Sequence, residues 1–349
     1  PYMGRERPPG IRDVAEKAGV SATTVSHALS GKGRISEETR ARVMEAVAEL
    51  DYRPNRNAQS LAKGGSGLVA LVVGSNLTRS RSAIEALPDF MYLANIAVSA
   101  SQEATRMGLG LLLAPEHEHL PTALDAGIGA ALIVDPVTNE PSANTLIEAG
   151  IPYVTLGRIP GASVEENPYW VDNDHATATR NSLEHLRDQG ARRIGLLVGD
   201  SETSYVIDSL EAYRQWCTET GQAESLLTIS GRPFSSPAKE QVESLLRSPD
   251  RPDAVLCLLH PIASLVAAVA LGQGLHVPDD LLIASVSDDR FVNSSTYGLP
   301  SITGTDLNPA LLANEAMSIV ASLLSDSEPE DPTRLIPSEL VPRESSLRS

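Results

Sequence analysis

The sequence is poor in cysteine and has no long apolar run. Only two cysteines occur, Cys217 and Cys257, far apart and in apolar surroundings. We therefore expect two buried, reduced thiols rather than a disulfide, which is typical of cytoplasmic proteins. No apolar stretch approaches the ~18 residues of a membrane span, and no segment has the pattern of a signal peptide. These absences predict a cytoplasmic protein with no membrane partner.

Motifs of catalysis are also absent from the sequence. It contains no GxSxG elbow, P-loop or HExxH, and no pair of carboxylates can be assigned to acid–base chemistry from spacing alone. Residues 116–119 contain two histidines that would share a face if the segment were extended, so a surface metal ion is conceivable there. A solvated polar loop explains that run better. We expect neither an enzyme nor a metal or cofactor.

The net charge of −17 argues at first against a nucleic-acid partner. The charge is distributed unevenly, however. Residues 1–63 hold 11 lysines and arginines against 8 acidic residues, a net of +3, which leaves −20 for residues 64–349. A basic arm on an acidic body is typical of a DNA-binding protein with a separate regulatory part.

Helical periodicity is clear near the beginning of the chain. Apolar residues at positions 11, 14, 15 and 18 share one helical face, and Gly19 suits the end of that helix. Ser21 suits the N-cap of a second helix over residues 22–30, which would bury Val25, Ala28 and Leu29. Two short helices around a Gly-containing turn indicate a helix-turn-helix, whose second helix enters the major groove of DNA.

A third helix is predicted to begin after Ser36 and to end before Pro54, which disfavours helix at the preceding residue. Residues 55–62 could form only a short helix. Isolated helices need about 12–15 residues to be stable in water, so we expect this segment to be disordered until a partner orders it.

One long motif covers this whole region. It reads I-R-D-V-A-x-x-A-G-V-S-x-x-T-V-S-x-x-L-S-G, then R-I-S-E-E-T-R-x-R-V and Y-R-P-N, and it runs nearly unbroken from Ile11 to Leu61. The motif resembles the lactose-repressor (LacI) family of bacterial transcription factors. The resemblance implies a transcriptional repressor that binds a palindromic operator as a homodimer.

The resemblance also implies roles for single positions. The second helix would read base edges and hold phosphates, and residues 55–62 would be the hinge helix, which places an apolar wedge in the minor groove and bends the duplex. The basic arm adds a phosphate contact at position 34. The predicted DNA-binding residues are Ala22, Thr23, Thr24, Ser26, His27, Arg34, Asn55, Asn57, Ala58 and Leu61.

His27 departs from the family pattern, which often has Arg at this position. Arg binds guanine with two hydrogen bonds, and such a pair discriminates between bases by ~1–3 kcal/mol. His offers one donor or acceptor in that direction. We therefore expect an operator half-site that differs from the usual one, unless His27 is simply a solvated helix residue.

Beyond a flexible linker at residues 64–67, short β-rich runs alternate with helical patterns. The predicted strands are residues 68–73, 109–113, 130–134, 153–156, 194–198, 226–229, 254–258 and 282–286. The predicted helices are residues 92–107, 144–149, 174–189, 205–220, 238–247, 262–273 and 308–324. Such alternation predicts parallel sheets covered on both faces. The expected fold is an all-α helix-turn-helix headpiece followed by an α/β body of two doubly wound parallel-sheet lobes.

Segments of the body also resemble the family, which shares its fold with periplasmic sugar-binding proteins. We expect a flexible tail (1–10), a DNA-binding domain (11–54), and a hinge with linker (55–67). The N-terminal lobe would comprise 68–169 plus 303–326, and the C-terminal lobe 170–302 plus 327–345.

A cleft between the lobes is the expected binding site for a small-molecule effector, because ligands of open α/β sheets bind at the carboxyl ends of the strands. The family's sugar and purine binders carry Arg, Asn-Asp and Asp in three loops where this chain has other residues, so the pocket is predicted to be less polar than a sugar site. The predicted effector-binding residues are Phe90, Tyr92, Tyr205, Ser209, Phe234, His260, Ser287 and Asp288. Several of the aromatic residues could instead be ordinary core.

The sequence leaves two alternatives open. A regulator of the same kind could have a cleft that binds no small molecule, or binds another protein. A solute-binding transport protein would share the two-lobed body, but it would not carry a DNA-reading headpiece.

Overall fold

The computed structural model describes residues 10–30, 35–50, 67–73, 87–115, 117–230, 235–288 and 298–348, without the side chains of residues 30 and 87–91. The chain forms two compact units, Pro1–Gly67 and Leu68–Ser349. Among the described residues, no helix is long and apolar enough to cross a membrane.

Three helices make up the described part of the first unit, which we call the headpiece. They are α1 (Ile11–Ala18), α2 (Ala22–Ser30) and α3 (Glu37–Glu49). Their inward faces form one small core, in which Val14, Val25 and Val43 are fully buried. The three helices predicted from periodicity are confirmed.

The turn between α1 and α2 depends on Gly19. Its φ of 65° lies in the left-handed region that favours glycine. Ser21 then caps α2, because its Oγ accepts a hydrogen bond from the backbone N–H of Thr24 at 3.1 Å. Ser36 caps α3 in the same way through Thr39, at 3.3 Å. Both predicted N-caps are confirmed.

The N-lobe of the second unit is built on a six-stranded parallel sheet in the order β2-β1-β3-β4-β5-β11. The strands are β1 (Leu68–Val73), β2 (Gly110–Ala114), β3 (Ala130–Val134), β4 (Tyr153–Leu156), β5 (Trp170–Asn173) and β11 (Thr333–Ile336). One face packs on α4 (Leu87–Arg106) and α11 (Pro309–Leu324), and the other on α5 (Leu120–Asp125) and α6 (Pro141–Ala149). Burial on both faces explains why the central strands are continuous apolar runs.

The C-lobe repeats this plan with a four-stranded parallel sheet in the order β7-β6-β8-β9. The strands are β6 (Ile194–Gly199), β7 (Leu226–Ile229), β8 (Ala254–Cys257) and β9 (Leu282–Ser285). The flanking helices are α7 (His175–Asp188) and α8 (Ser204–Thr220) on one face, and α9 (Ser236–Arg247) and α10 (His260–Gly272) on the other. Cys217 and Cys257 are buried free thiols, as predicted.

A short antiparallel pair completes the C-lobe. It consists of β10 (Gly304–Asp306) and β12 (Glu339–Val341). Thr303 is bridged in parallel to Ala284 of β9, so this pair continues the C-lobe.

The chain crosses between the lobes later than predicted at all three places. Residues 170–173 and 333–336 pair with each other as β5 and β11 and therefore belong to the N-lobe sheet. Residues 304–306 pair within the C-lobe instead of starting the return to the N-lobe. The predicted boundaries at 169/170, 302/303 and 326/327 are corrected accordingly. The physical reason is that distant pairing decides these strands: β5 and β11 pair in parallel with each other, and β10 pairs antiparallel with β12. No local sequence pattern records such partners.

Residues 117–119 form a 3-10 turn rather than an extended segment, so His117 and His119 do not share a face in the way an extended chain would allow. The ring of His117 instead lies 3.3 Å (Nδ1 to Oγ) from Ser142 of α6.

Candidate functional site

The headpiece presents one polar surface on α2. Val25 and Ala28 face the core, so the opposite side of the helix displays Thr23 and His27, which are exposed and one turn apart. Ala22, Thr24 and Ser26 flank this side and are half-buried. The predicted base-reading positions are thus together on one accessible face.

Two contacts that the sequence does not predict hold the three helices together, and one of them involves α2. Arg40 of α3 donates from Nη1 to the carbonyl of Ala28, at 3.0 Å, near the C-terminal end of α2. Lys17 of α1 pairs with Glu49 of α3. Arg40 lies twelve residues from Ala28, a separation that helical periodicity does not connect. Only the packed three-helix bundle shows this hydrogen bond.

The other predicted DNA-binding residues, Arg34, Asn55, Asn57, Ala58 and Leu61, lie outside the described residues.

A second polar cluster joins the lobes of the body, and Asp172 of β5 is its centre. The side chain of Asp172 is 3% exposed. Its Oδ2 accepts from the backbone N–H and from Nε of Arg158, both at 3.1 Å, and its Oδ1 accepts from Nε2 of His175 at 3.0 Å. Burial by itself would raise the pKa of Asp172, but the hydrogen bonds and charge of His175 and Arg158 lower it below its ordinary value of 3.8.

Arg158 carries this cluster across to the C-lobe. Its Nη2 pairs with Asp208 of α8, and its guanidinium lies over the ring of Trp170 at 5.7 Å. Burial raises the pKa of Asp208 above its ordinary value of 3.8, although Arg158 acts in the opposite direction. One guanidinium therefore contacts two carboxylates and an aromatic face.

Tyr205 lies next to this cluster in the C-lobe. Its ring is 4.8 Å from that of His175, and its hydroxyl donates to the carbonyl of Leu258. Burial raises the pKa of Tyr205 well above 10.0. The hydrogen bond with Ser287 lowers this pKa, and the charge of Asp135 raises it further. Burial, followed by the charges of Asp135 and Asp172, raises the pKa of Tyr92 in the same way.

Four predicted effector residues are therefore near one another at the strand ends. Tyr92 lies within electrostatic reach of Tyr205, Tyr205 interacts with Ser287, and the Oγ of Ser287 accepts from the backbone N–H of His260 at 2.9 Å.

Two other predicted effector residues are engaged elsewhere. Asp288 is held in a two-pronged ion pair by Arg343. Ser209 is fully buried on the inward face of α8, with Tyr213 and Trp216. That these two residues contact a ligand stays a prediction. The side chains of Phe90 and Phe234 lie outside the described part of the chain.

A cavity of about 300 Å³ lies beside the Asp172 cluster, between the two lobes. It is lined by Arg158, Ile159, Pro160, Gly161, Ala162, Ser163, Val164, Asn167, Trp170, Ser204, Ile207, Asp208 and Thr333. None of the predicted effector residues with described side chains lines it. The irregular loop between β4 and β5 contributes most of its wall, and such a loop gives no periodic signal.

Comparison with known proteins agrees with this architecture. The sequence profile described as "Bacterial regulatory proteins, lacI family" matches residues 10–55, and that of a "Periplasmic binding protein-like domain" matches residues 183–346. The HTH-type transcriptional regulator CelR of Thermobifida fusca is 29% identical, over 98% of this chain and 100% of its own length. The regulator AglR of Rhizobium meliloti is 28% identical, over 97% and 94%. The chain therefore has the DNA-binding domain of the LacI family followed by a periplasmic-binding-protein-like domain.

Solved structures of LacI-family proteins share this fold. The lac repressor dimer bound to operator and the anti-inducer ONPF has a TM-score of 0.76 at 24% identity, covering 98% of this chain and 100% of that one. The complex of CelR with cellobiose has a TM-score of 0.66 at 26% identity, covering 97% and 99%. With a LacI-family DNA-binding domain and full-length relatives that are transcriptional regulators, the chain is a DNA-binding transcriptional regulator and not an enzyme.

Proposed function

We propose that this LacI-family regulator acts as a homodimeric repressor on a palindromic operator and that a small effector in the interlobe cleft changes its affinity for DNA. The observation that carries the proposal is the display of Thr23 and His27 on the accessible side of α2. One recognition helix reads few base pairs, so specificity requires two half-sites and hence two subunits. In this proposal residues 55–62 pair between subunits, and Leu61 is the apolar wedge.

Selection of bound sequences from random duplexes tests the DNA part. We expect a two-fold symmetric site with a fixed spacing between its half-sites. His27→Arg should change the preferred base at one position of each half-site, because Arg can bind guanine with two hydrogen bonds. Glu45→Ala, an exposed change on α3, is the matched control and should leave the selected motif unaltered. An asymmetric or absent motif would contradict the proposal, and the same motif for His27→Arg would remove His27 from base reading.

For the effector, we propose a carbohydrate, in place of the less polar ligand that the sequence predicts. The related CelR is in complex with cellobiose, and the interlobe cavity of this chain is lined by hydrogen-bonding side chains and an aromatic face, those of Arg158, Asn167, Asp208 and Trp170. Thermal unfolding with cellobiose and a panel of other mono- and disaccharides tests this, since ligand at 100 times Kd stabilises by ~2.7 kcal/mol. No stabilisation by any sugar would favour the alternative, a cleft that takes no small molecule or takes a protein.

A further inference from the structure

Two contacts, besides ion pairs, join the lobes next to the Asp172 cluster. Val137, just after β3 of the N-lobe, forms an antiparallel bridge with Thr203, just before α8 of the C-lobe. His175, at the start of α7 in the C-lobe, donates to Asp172 of the N-lobe, and its ring packs against Tyr205 of α8. The two lobes therefore meet directly beside the cluster.

Arg158 is positioned before it reaches across this boundary. Its backbone N–H and its Nε both bind the buried carboxylate of Asp172, and its guanidinium stacks on Trp170. A long side chain normally loses rotamer freedom when it forms an ion pair, which is why exposed pairs contribute little. Here the contacts within the N-lobe already restrict the side chain, so its remaining nitrogen meets Asp208 of the C-lobe with little further loss of freedom.

The position of the pair connects it to the cavity. Arg158 and Asp208 both line the 300 Å³ space between the lobes, one from each side. A molecule that enters the space meets this ion pair, and separation of the lobes breaks it.

We infer that the Arg158–Asp208 pair is an intramolecular latch that holds the two lobes together. The guanidinium of Arg158 bridges the lobes by pairing with Asp172 of the N-lobe and Asp208 of the C-lobe. The latch itself does not depend on the proposed function. Only its consequence for operator binding does.

Asp208→Asn in the full-length, ligand-free protein tests the latch, because it removes the charge on the C-lobe side and leaves Arg158 bound to Asp172. We expect a larger radius of gyration by small-angle X-ray scattering. Hydrogen exchange in peptides that contain Val137 and Thr203 should become about tenfold faster, equivalent to ~1.4 kcal/mol. Asp208→Glu, which keeps the charge, should restore most of the closed population.

Glu219→Gln is the matched control. It breaks the Arg180–Glu219 pair, which joins α7 and α8 within the C-lobe and whose Arg side chain is 37% exposed, the same as that of Arg158. This variant should leave scattering and exchange unchanged. If Asp208→Asn folds with an unchanged circular dichroism spectrum and stays as closed as the wild type, the latch is refuted. Equal opening by both variants also refutes it. Opening without any change in operator affinity keeps the latch and removes the proposed coupling to DNA.

Discussion

Arg343 binds Asp288 with both ends of its guanidinium: Nη1 donates to Oδ1 at 2.9 Å and Nη2 to Oδ2 at 2.6 Å. The carboxylate is 1% exposed, at the end of the C-lobe sheet, and Arg343 lies just beyond β12. This pair connects the segment after β12 to the loop after β9. Asp288 therefore has a structural partner in the position where a ligand contact was predicted.

Arg343→Met should destabilise the body by ~3–5 kcal/mol, because it leaves a buried carboxylate without its counter-charge. Both tryptophans, Trp170 and Trp216, lie in the body, so urea unfolding followed by their fluorescence measures the effect. Arg180→Met, which breaks an exposed pair, is the control and should cost at most ~1 kcal/mol. Equal losses for the two variants would mean that Asp288 is not held by Arg343 in solution.

Gly304 of β10 allows the chain to approach this pair closely. A Cβ added at Gly304 would lie 3.0 Å from the carbonyl oxygen of Ser287 and 3.0 Å from Oδ1 of Asp288. Gly304→Ala should therefore cost ~1–3 kcal/mol in the same unfolding measurement, because backbone must shift to admit the methyl group. At Gly272, the last residue of α10, an added Cβ meets nothing within 4 Å. Gly272→Ala should be neutral or stabilise by up to ~1 kcal/mol, and a loss as large as that of Gly304→Ala would contradict the crowding argument.

The central strands could be predicted because each is a continuous apolar run bounded by turn residues. All eight predicted strands are present, with ends that move by one residue at most. The strands that were missed, β5, β10, β11 and β12, are short and contain polar residues, as in Thr333–Ile336. Their hydrogen-bonding partners lie far away along the chain, so their identity depends on tertiary pairing. The misplaced lobe boundaries follow from this omission.

The α2 surface and the interlobe cluster also differ in whether the sequence could predict them. The α2 surface was predictable because helical periodicity places Val25 inward and Thr23 and His27 outward within one short segment. The interlobe cluster was not, since Arg158, Asp172 and Asp208 come from a loop, a strand and a helix of two lobes. Nothing in the spacing of three such residues indicates that one guanidinium joins two carboxylates.

Asp172 and Asp208 share Arg158 but should affect stability with opposite dependence on pH. The folded-state pKa of Asp172 lies below 3.8, so its charged form is favoured in the folded protein, and the unfolded chain takes up its proton first as the pH falls. The stabilisation that ionised Asp172 contributes is complete above pH 3.8, and it is lost as the pH falls through the lower pKa of the folded protein. The difference in unfolding free energy between wild type and Asp172→Asn should thus be constant near neutral pH and shrink below 3.8.

The pKa of Asp208 is raised in the folded protein, so here the folded chain takes up the proton first. Wild type should therefore gain stability relative to Asp208→Asn as the pH falls through the raised value towards 3.8, the opposite sign to Asp172. Urea unfolding of the three proteins from pH 7 down to the acid limit of the wild type measures both slopes, and each variant serves as the control for the other. Slopes of the same sign would show that burial does not dominate at Asp208, and that its carboxylate is as well compensated as the one inside the N-lobe. In that case the Arg158–Asp208 ion pair would persist down to the acidic pH range in which Asp172 also takes up a proton.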